Sequence, residues 1–159
     1  MPSKKSADKQ LLDKIERYCA FQERCRQDVT IKLRQLGADD SQHEQIIVQL
    51  IKENFINEAR YAKAFAADRF RLNGWGKFKI NLALQAKGIS AGLIERGLAE
   101  IGQREYEQKL KSMLKKKAAE LSDVKDSFIR NNKLAAFLTS RGFEPELVWT
   151  MIENEVERL

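Results

Sequence analysis

The segments VTIKLRQLGA, INLALQAKGI and LAAFLTSRGF align on Gly37, Gly88 and Gly142. Each carries one apolar residue eight places before its glycine (Val29, Ile80, Leu134) and another four places before it (Leu33, Leu84, Leu138). Each reads as the closing turns of a helix. Glycine enters the left-handed conformation that ends a helix without a side-chain penalty, and Arg34, Lys87 and Arg141 set positive charge on the last carbonyls. Ten residues beyond each glycine, Ile47, Leu98 and Ile152 fall inside the next apolar stripe. A period of roughly fifty residues is that of a helical repeat.

The remaining punctuation agrees. Proline occurs only at positions 2 and 145, so long helices are permitted throughout the intervening chain. Apolar residues recur at helical spacing in nine stripes, from Leu11, Leu12, Ile15 and Cys19 to Leu147, Val148, Met151 and Ile152, and no stretch alternates as a strand would. Ser41 to Glu44 has the composition of a capping box, Asn57 and Ser90 suit helix N-caps, and Pro145 suits the first turn of the last helix. The expected fold is all-α: a flexible basic N-terminus over 1–8, then three tandem three-helix repeats over 9–56, 57–102 and 103–159. One such repeat buries too little apolar surface to be stable alone, so the repeats should share faces in an elongated or curved array that offers a long concave surface and little pocket.

Several function classes fall away on composition. No apolar run approaches the roughly 20 residues of a membrane span. The N-terminal MPSKKSADKQLLDK has no apolar core or cleavage site, which predicts a cytoplasmic protein. Cys19 and Cys25, expected on one helix, are too few for structural zinc and are expected as reduced thiols. His43, the only histidine, is expected in a solvated first helical turn. It leaves no partner set for Ser-His-Asp or Cys-His chemistry. Gly74-Trp75-Gly76 resembles part of a nucleotide fingerprint, but Lys79 stands where the third glycine belongs and no strand precedes it. No catalytic residue, metal site or cofactor is expected.

Charge is the positive signal. The net balance is +6, and from Arg69 to Lys87 the chain holds Arg69, Arg71, Lys77, Lys79 and Lys87 around Trp75 with no aspartate or glutamate. Solvated helix faces usually interleave both signs. A second run over Lys109–Glu120 contributes Lys111, Lys115, Lys116 and Lys117. A phosphate partner fits, with affinity from displaced counterions. The helix expected from Lys77 to Lys87 offers only Asn81 and Gln85 as amide readers, so contact should be sequence-neutral. An acidic protein surface would suit the same residues. The C-terminal stretch has the opposite sign, with Glu144, Glu146, Glu153, Glu155 and Glu157 against Arg158.

From Phe55 to Ser90 the sequence resembles the RecX family of bacterial recombination regulators. The resemblance is carried by Ile56, Asn57, Glu58, Arg60, Tyr61 and Ala62, then Arg69, Gly76, and the close Ile80, Leu84, Lys87, Gly88 and Ile89. Asn57-Glu58 stands where the family often has two acids. The resemblance implies three tandem three-helix repeats and a regulator of DNA repair, recombination and the SOS response. Such a regulator binds the RecA nucleoprotein filament and restrains its recombinase, ATPase and coprotease activities without a catalytic site or cofactor. The expected partners are the RecA filament and single- or double-stranded DNA, with no membrane and the protein a monomer. Arg69, Arg71, Trp75, Lys77, Lys79, Lys87, Lys111, Lys115, Lys116 and Lys117 would face the DNA or the filament groove. The alternative is a free-standing, sequence-neutral DNA-binding protein acting on duplex without recombinase.

Overall fold

Each of the three repeat glycines ends a helix in the left-handed region, with φ of +83° at Gly37, +77° at Gly88 and +98° at Gly142. At each end the next residue's N–H reaches back to the leucine four before the glycine: Ala38 to Leu33 O (3.0 Å), Ile89 to Leu84 O (3.1 Å) and Phe143 to Leu138 O (3.2 Å). Leu33, Leu84, Leu138 and Phe143 are fully buried, so the hydrogen-bonded closure also locks an apolar contact into the core.

The computed structural model describes residues 4–155, with side chains from residue 8 onward. Among them are nine helices and no strand: α1 (Lys4–Phe21), α2 (Arg26–Gln35), α3 (Asp40–Lys52), α4 (Glu58–Asn73), α5 (Lys77–Ala86), α6 (Ala91–Ala99), α7 (Gln103–Glu120), α8 (Ser127–Ser140) and α9 (Pro145–Glu155). The fold is all-α, built of three-helix domains. Of the segment expected to be a flexible N-terminus, residues 1–3 lie outside the described part and α1 begins at Lys4. Glu157 and Arg158 also lie outside it.

The helix starts match the sequence expectations in part. Asn57 caps α4, its Oδ1 accepting the Arg60 N–H at 3.0 Å, and Pro145 opens α9. The box expected at Ser41–Glu44 sits two residues earlier, where the Gln42 side chain accepts the Asp39 N–H at 3.3 Å. His43 departs from expectation as well. The ring is buried, with Nε2 3.3 Å from Ala38 O, rather than solvated. Cys19 and Cys25 are free, buried thiols but do not share a helix: α1 stops at Phe21, and Cys25 precedes α2 with its N–H held by the Asp28 carboxylate (3.3 Å). Burial pushes the Cys19 thiol up to about 11, against lesser opposing and reinforcing charges from Arg24, Glu16 and Glu23.

The chain divides into two compact units, one of Met1–Ala64 with Leu84–Arg96, the other of Phe65–Ala83 with Gly97–Leu159. Helices α4, α5 and α6 therefore contribute to both. In the first unit, α1, α2 and α3 enclose Ile15, Cys19, Val29, Leu33, Ile47, Leu50 and Ile56. The family-like residues Arg60, Tyr61 and Ala62 are structural here. Arg60 reaches Glu23 and the Asn54 carbonyl (3.1 Å), while Tyr61 and Ala62 are buried. The C-terminal end of α5 is tied to α2 by Gln27 Nε2 on Ala86 O (3.1 Å) and by Lys87 Nζ on Asp28 (2.9 Å).

The Lys87–Asp28 pair sets a pH-dependent element. Burial raises the Asp28 pKa, but the Lys87 ammonium and the Cys25 group outweigh it, so the carboxyl lies below its ordinary 3.8. Lys87 is correspondingly raised, chiefly by its hydrogen bond to Asp28. A depressed carboxylate contributes stability that is present above its unfolded pKa and lost as pH falls through the folded value. Lys87→Ala is expected to cost about 1–3 kcal/mol at neutral pH, the cost of leaving a half-buried charge unpaired. Denaturant titrations of the variant and parent should converge as pH drops below 3.8.

Candidate nucleic-acid interface

The basic, glycine-rich stretch lies in the second unit, where α4 ends and α5 begins. Gly74, at φ +68°, turns the chain, and the Trp75 N–H reaches back to Arg69 O at 3.0 Å. Gly76 is required by close packing rather than by φ: a Cβ there would lie 2.3 Å from the Gly142 carbonyl carbon and the Phe143 nitrogen. The Gly76 N–H donates to Arg141 O (2.8 Å) and the Phe78 N–H to Gly142 O (2.9 Å), so the α4–α5 junction is bolted backbone to backbone onto the end of α8. The Gly-Trp-Gly triplet is a joint and not a phosphate loop.

Side chains complete the joint. The Lys77 N–H donates to Tyr106 Oη at 3.0 Å, and Tyr106 donates to Glu144 at the start of α9. The Tyr106 ring packs between Phe70 (centroids 5.6 Å apart) and Phe143 (5.3 Å). Burial, with the Glu144 hydrogen bond second, drives the phenol far above its ordinary range, so it stays a neutral donor. Tyr106→Phe leaves both the Lys77 N–H and Glu144 without this partner. Thermal unfolding should show a loss of about 1–3 kcal/mol.

This frame holds Trp75 half-buried with its ring flanked by cations. The Arg69 guanidinium carbon is 5.4 Å from the centroid and Lys79 Nζ 4.6 Å, while Phe65 meets the ring edge-on at 6.4 Å. Lys77 Nζ lies 4.8 Å over Tyr106. Arg69 donates to Asn73 Oδ1 (3.3 Å), and its Nε is buried without a partner.

The expected cations sort into two groups. Arg71 is held by a two-pronged contact to Glu105 (2.9 and 3.3 Å), Lys111 by Glu155 (3.3 Å) and Lys117 by Glu120 (3.2 Å). Lys87 belongs, with its partner Asp28 (2.9 Å), to the first unit. Arg69, Lys77, Lys79, Lys115 and Lys116 make no ion pair among the described residues, and Lys115 and Lys116 are exposed. Charge in the first of the two basic runs is therefore concentrated around Trp75.

Two features were not anticipated from the sequence. The Gly76–Gly142 approach is visible only once the helices are assembled. Phe78 and Leu82, 52 % and 66 % exposed, present an apolar pair on α5 beside Lys79. Their signal lies in the pattern: they sit two positions off the buried Ile80 and Leu84 stripe. Among the described residues no cluster of His, Cys, Asp and Glu could hold a metal ion, and no helix is long and apolar enough to cross a membrane.

Comparison with known proteins bears on this arrangement. Family models for the second and third three-helix domains of RecX match residues 57–98 and 105–152. A regulatory protein RecX of Streptococcus agalactiae is 31% identical over 142 residues, 89% of this chain and 54% of that protein, so the chain spans about half the length of that relative. A regulatory protein RecX of Pseudomonas syringae is 30% identical over 135 residues, covering 85% of this chain and 84% of that one. The crystal structure of RecX from Lactobacillus salivarius superposes with a TM-score of 0.82 at 25% identity, over 93% of this chain and 96% of that one. By these matches in sequence and fold, the chain belongs to the RecX family.

Proposed function

We propose that this chain is a cytoplasmic regulator that binds the RecA nucleoprotein filament and restrains its recombinase, ATPase and coprotease activities, carrying out no reaction of its own. The observation that supports this most directly is the set of cations left without carboxylate partners around Trp75, in the very domain where the family model matches. Arg69, Lys77 and Lys79 supply attraction to phosphate, Trp75 organises them, and Lys115 and Lys116, exposed on α7, add further positive charge. Arg71, Lys87, Lys111 and Lys117 are engaged by acids and contribute less.

The test is the ATPase rate of the cognate recombinase on single-stranded DNA. Micromolar amounts of this protein are expected to lower it, and the Lys77→Glu, Lys79→Glu pair to relieve that effect. No effect of the parent protein, together with salt-sensitive binding to naked duplex, would instead favour the free-standing DNA-binding reading.

A further inference from the structure

A second cationic and aromatic surface, separate from the Trp75 cluster, lies on the first unit. On α1, Lys14, Arg17, Tyr18 and Phe21 follow the spacing i, i+3, i+4, i+7 and so form one stripe about 10 Å long. Together with Arg24, from the turn after α1, and Lys32 on α2 they line a shallow groove whose lining contains no carboxylate. The nearest acids of α1, Asp13 and Glu16, line a neighbouring groove beside Phe55 that Arg17 also borders, and Asp28 of α2 is held by Lys87.

The geometry is organised. Arg24 Nε donates to the Tyr18 carbonyl at 3.1 Å, which places its guanidinium 3.8 Å from the Tyr18 ring centroid. Lys32 Nζ lies 5.3 Å from the same centroid. Lys14, Arg17 and Lys32 make no ion pair among the described residues, and the carboxylate closest in sequence to Arg24, Glu23, is taken by Arg60. Phe21 is 82 % exposed, far more than its size favours. Unpaired cations beside an exposed ring are the two elements that single-stranded nucleic acid uses: phosphates for the charges and bases for the ring faces. A uniformly acidic polypeptide would satisfy the charges but bring no flat or apolar group to Phe21, which a nucleic acid supplies with every base.

We infer that the α1–α2 face is a separate single-stranded nucleic-acid site, in which Lys14, Arg17 and Lys32 bind phosphates, Tyr18 is covered by Arg24 and holds it in place, and Phe21 stacks a base. This goes beyond the Trp75 cluster: it stands on different residues in a different unit and could hold or fail independently.

The test is fluorescence anisotropy of a labelled oligothymidylate with the full chain across a salt series, with circular dichroism confirming folding. In the Lys77→Glu, Lys79→Glu background, which leaves the α1–α2 face as the site measured, Lys14→Glu with Arg17→Glu, both at exposed positions, should weaken the remaining binding roughly tenfold and reduce the salt slope by about 0.7 for each phosphate no longer neutralised. Phe21→Ala should weaken it roughly five- to tenfold with the salt slope unchanged. Photocrosslinking to an iodinated oligonucleotide should label Phe21, a readout that needs no variant. Binding and salt slope matching that background in both variants would overturn the inference, and if Lys77→Glu with Lys79→Glu alone lost binding, the reading of the Trp75 cluster would survive it. Competition by polyglutamate as effective as by oligothymidylate, with Phe21→Ala silent, would also overturn it in favour of an acidic protein partner.

Discussion

Reversing the charge of Lys77 and Lys79 together is expected to weaken binding to single-stranded DNA by tenfold or more and to flatten its salt dependence by about 1.4 in the log–log slope, twice the roughly 0.7 released per single-strand phosphate. The protein should remain folded. Neither lysine makes an ion pair among the described residues, and what each gives up is a contact over an aromatic ring, Tyr106 at 4.8 Å and Trp75 at 4.6 Å. Contacts of that kind are worth about 0.5–1 kcal/mol at exposed sites. A milder pair, Lys77→Gln with Lys79→Gln, should shift the slope in the same direction without adding negative charge. Anisotropy titrations from low to physiological salt measure both quantities. A slope equal to the parent's would remove these lysines from the interface.

Gly142→Ala is expected to be the most destabilising of the alanine substitutions at the three repeat glycines, at about 3 kcal/mol or more. Two costs combine there. The backbone sits at φ +98°, where an L side chain is strained by about 1–2 kcal/mol. The added Cβ would also meet Lys79 Cβ at 2.3 Å and Lys79 N at 2.7 Å, a collision with backbone that side-chain rotation cannot relieve. The other two repeat glycines serve as controls. Gly37 and Gly88 have comparable φ, +83° and +77°, but nothing lies within 4 Å of a Cβ built on either. Alanine at those positions should cost only the conformational part. Thermal unfolding should therefore fall by about 10 °C for Gly142→Ala and by a few degrees for the others, at roughly 2–4 °C per kcal/mol for a chain of this size. Equal losses at all three would show that the close approach at Gly142 carries no weight.

The same three glycines separate what is legible along the chain from what is not. Helix positions are legible because apolar spacing is local, and so are the closures at Gly37, Gly88 and Gly142, because a left-handed residue is a local requirement. Asn57 as a cap follows from the same logic. The expectations that fail are those decided by chain reversal. His43 is buried because the turn after Gly37 brings Ala38 against its ring. Cys25 leaves α1 because Asp28 captures its N–H, a break with neither proline nor glycine to mark it.

The candidate interface shows the same division. Clustered cations are visible in the sequence, but their neutralisation depends on acids far away: Glu105 is 34 positions from Arg71, and Asp28 is 59 from Lys87. No local window carries that information. The Gly76–Gly142 approach is likewise a tertiary contact, although the two glycines are each conspicuous alone. Assembly thus narrows a basic stretch to Arg69, Lys77 and Lys79 around Trp75, with Lys115 and Lys116 beyond.

Amide hydrogen exchange of this protein bound to recombinase filaments on single-stranded DNA, against the free protein, tests the central reading most directly. Slowed exchange is expected over residues 69–82, spanning the end of α4, the Trp75 joint and the first turns of α5. Exchange there at the free-protein rate, while other segments of the bound protein are slowed, would contradict the assignment of this cluster as the attachment face.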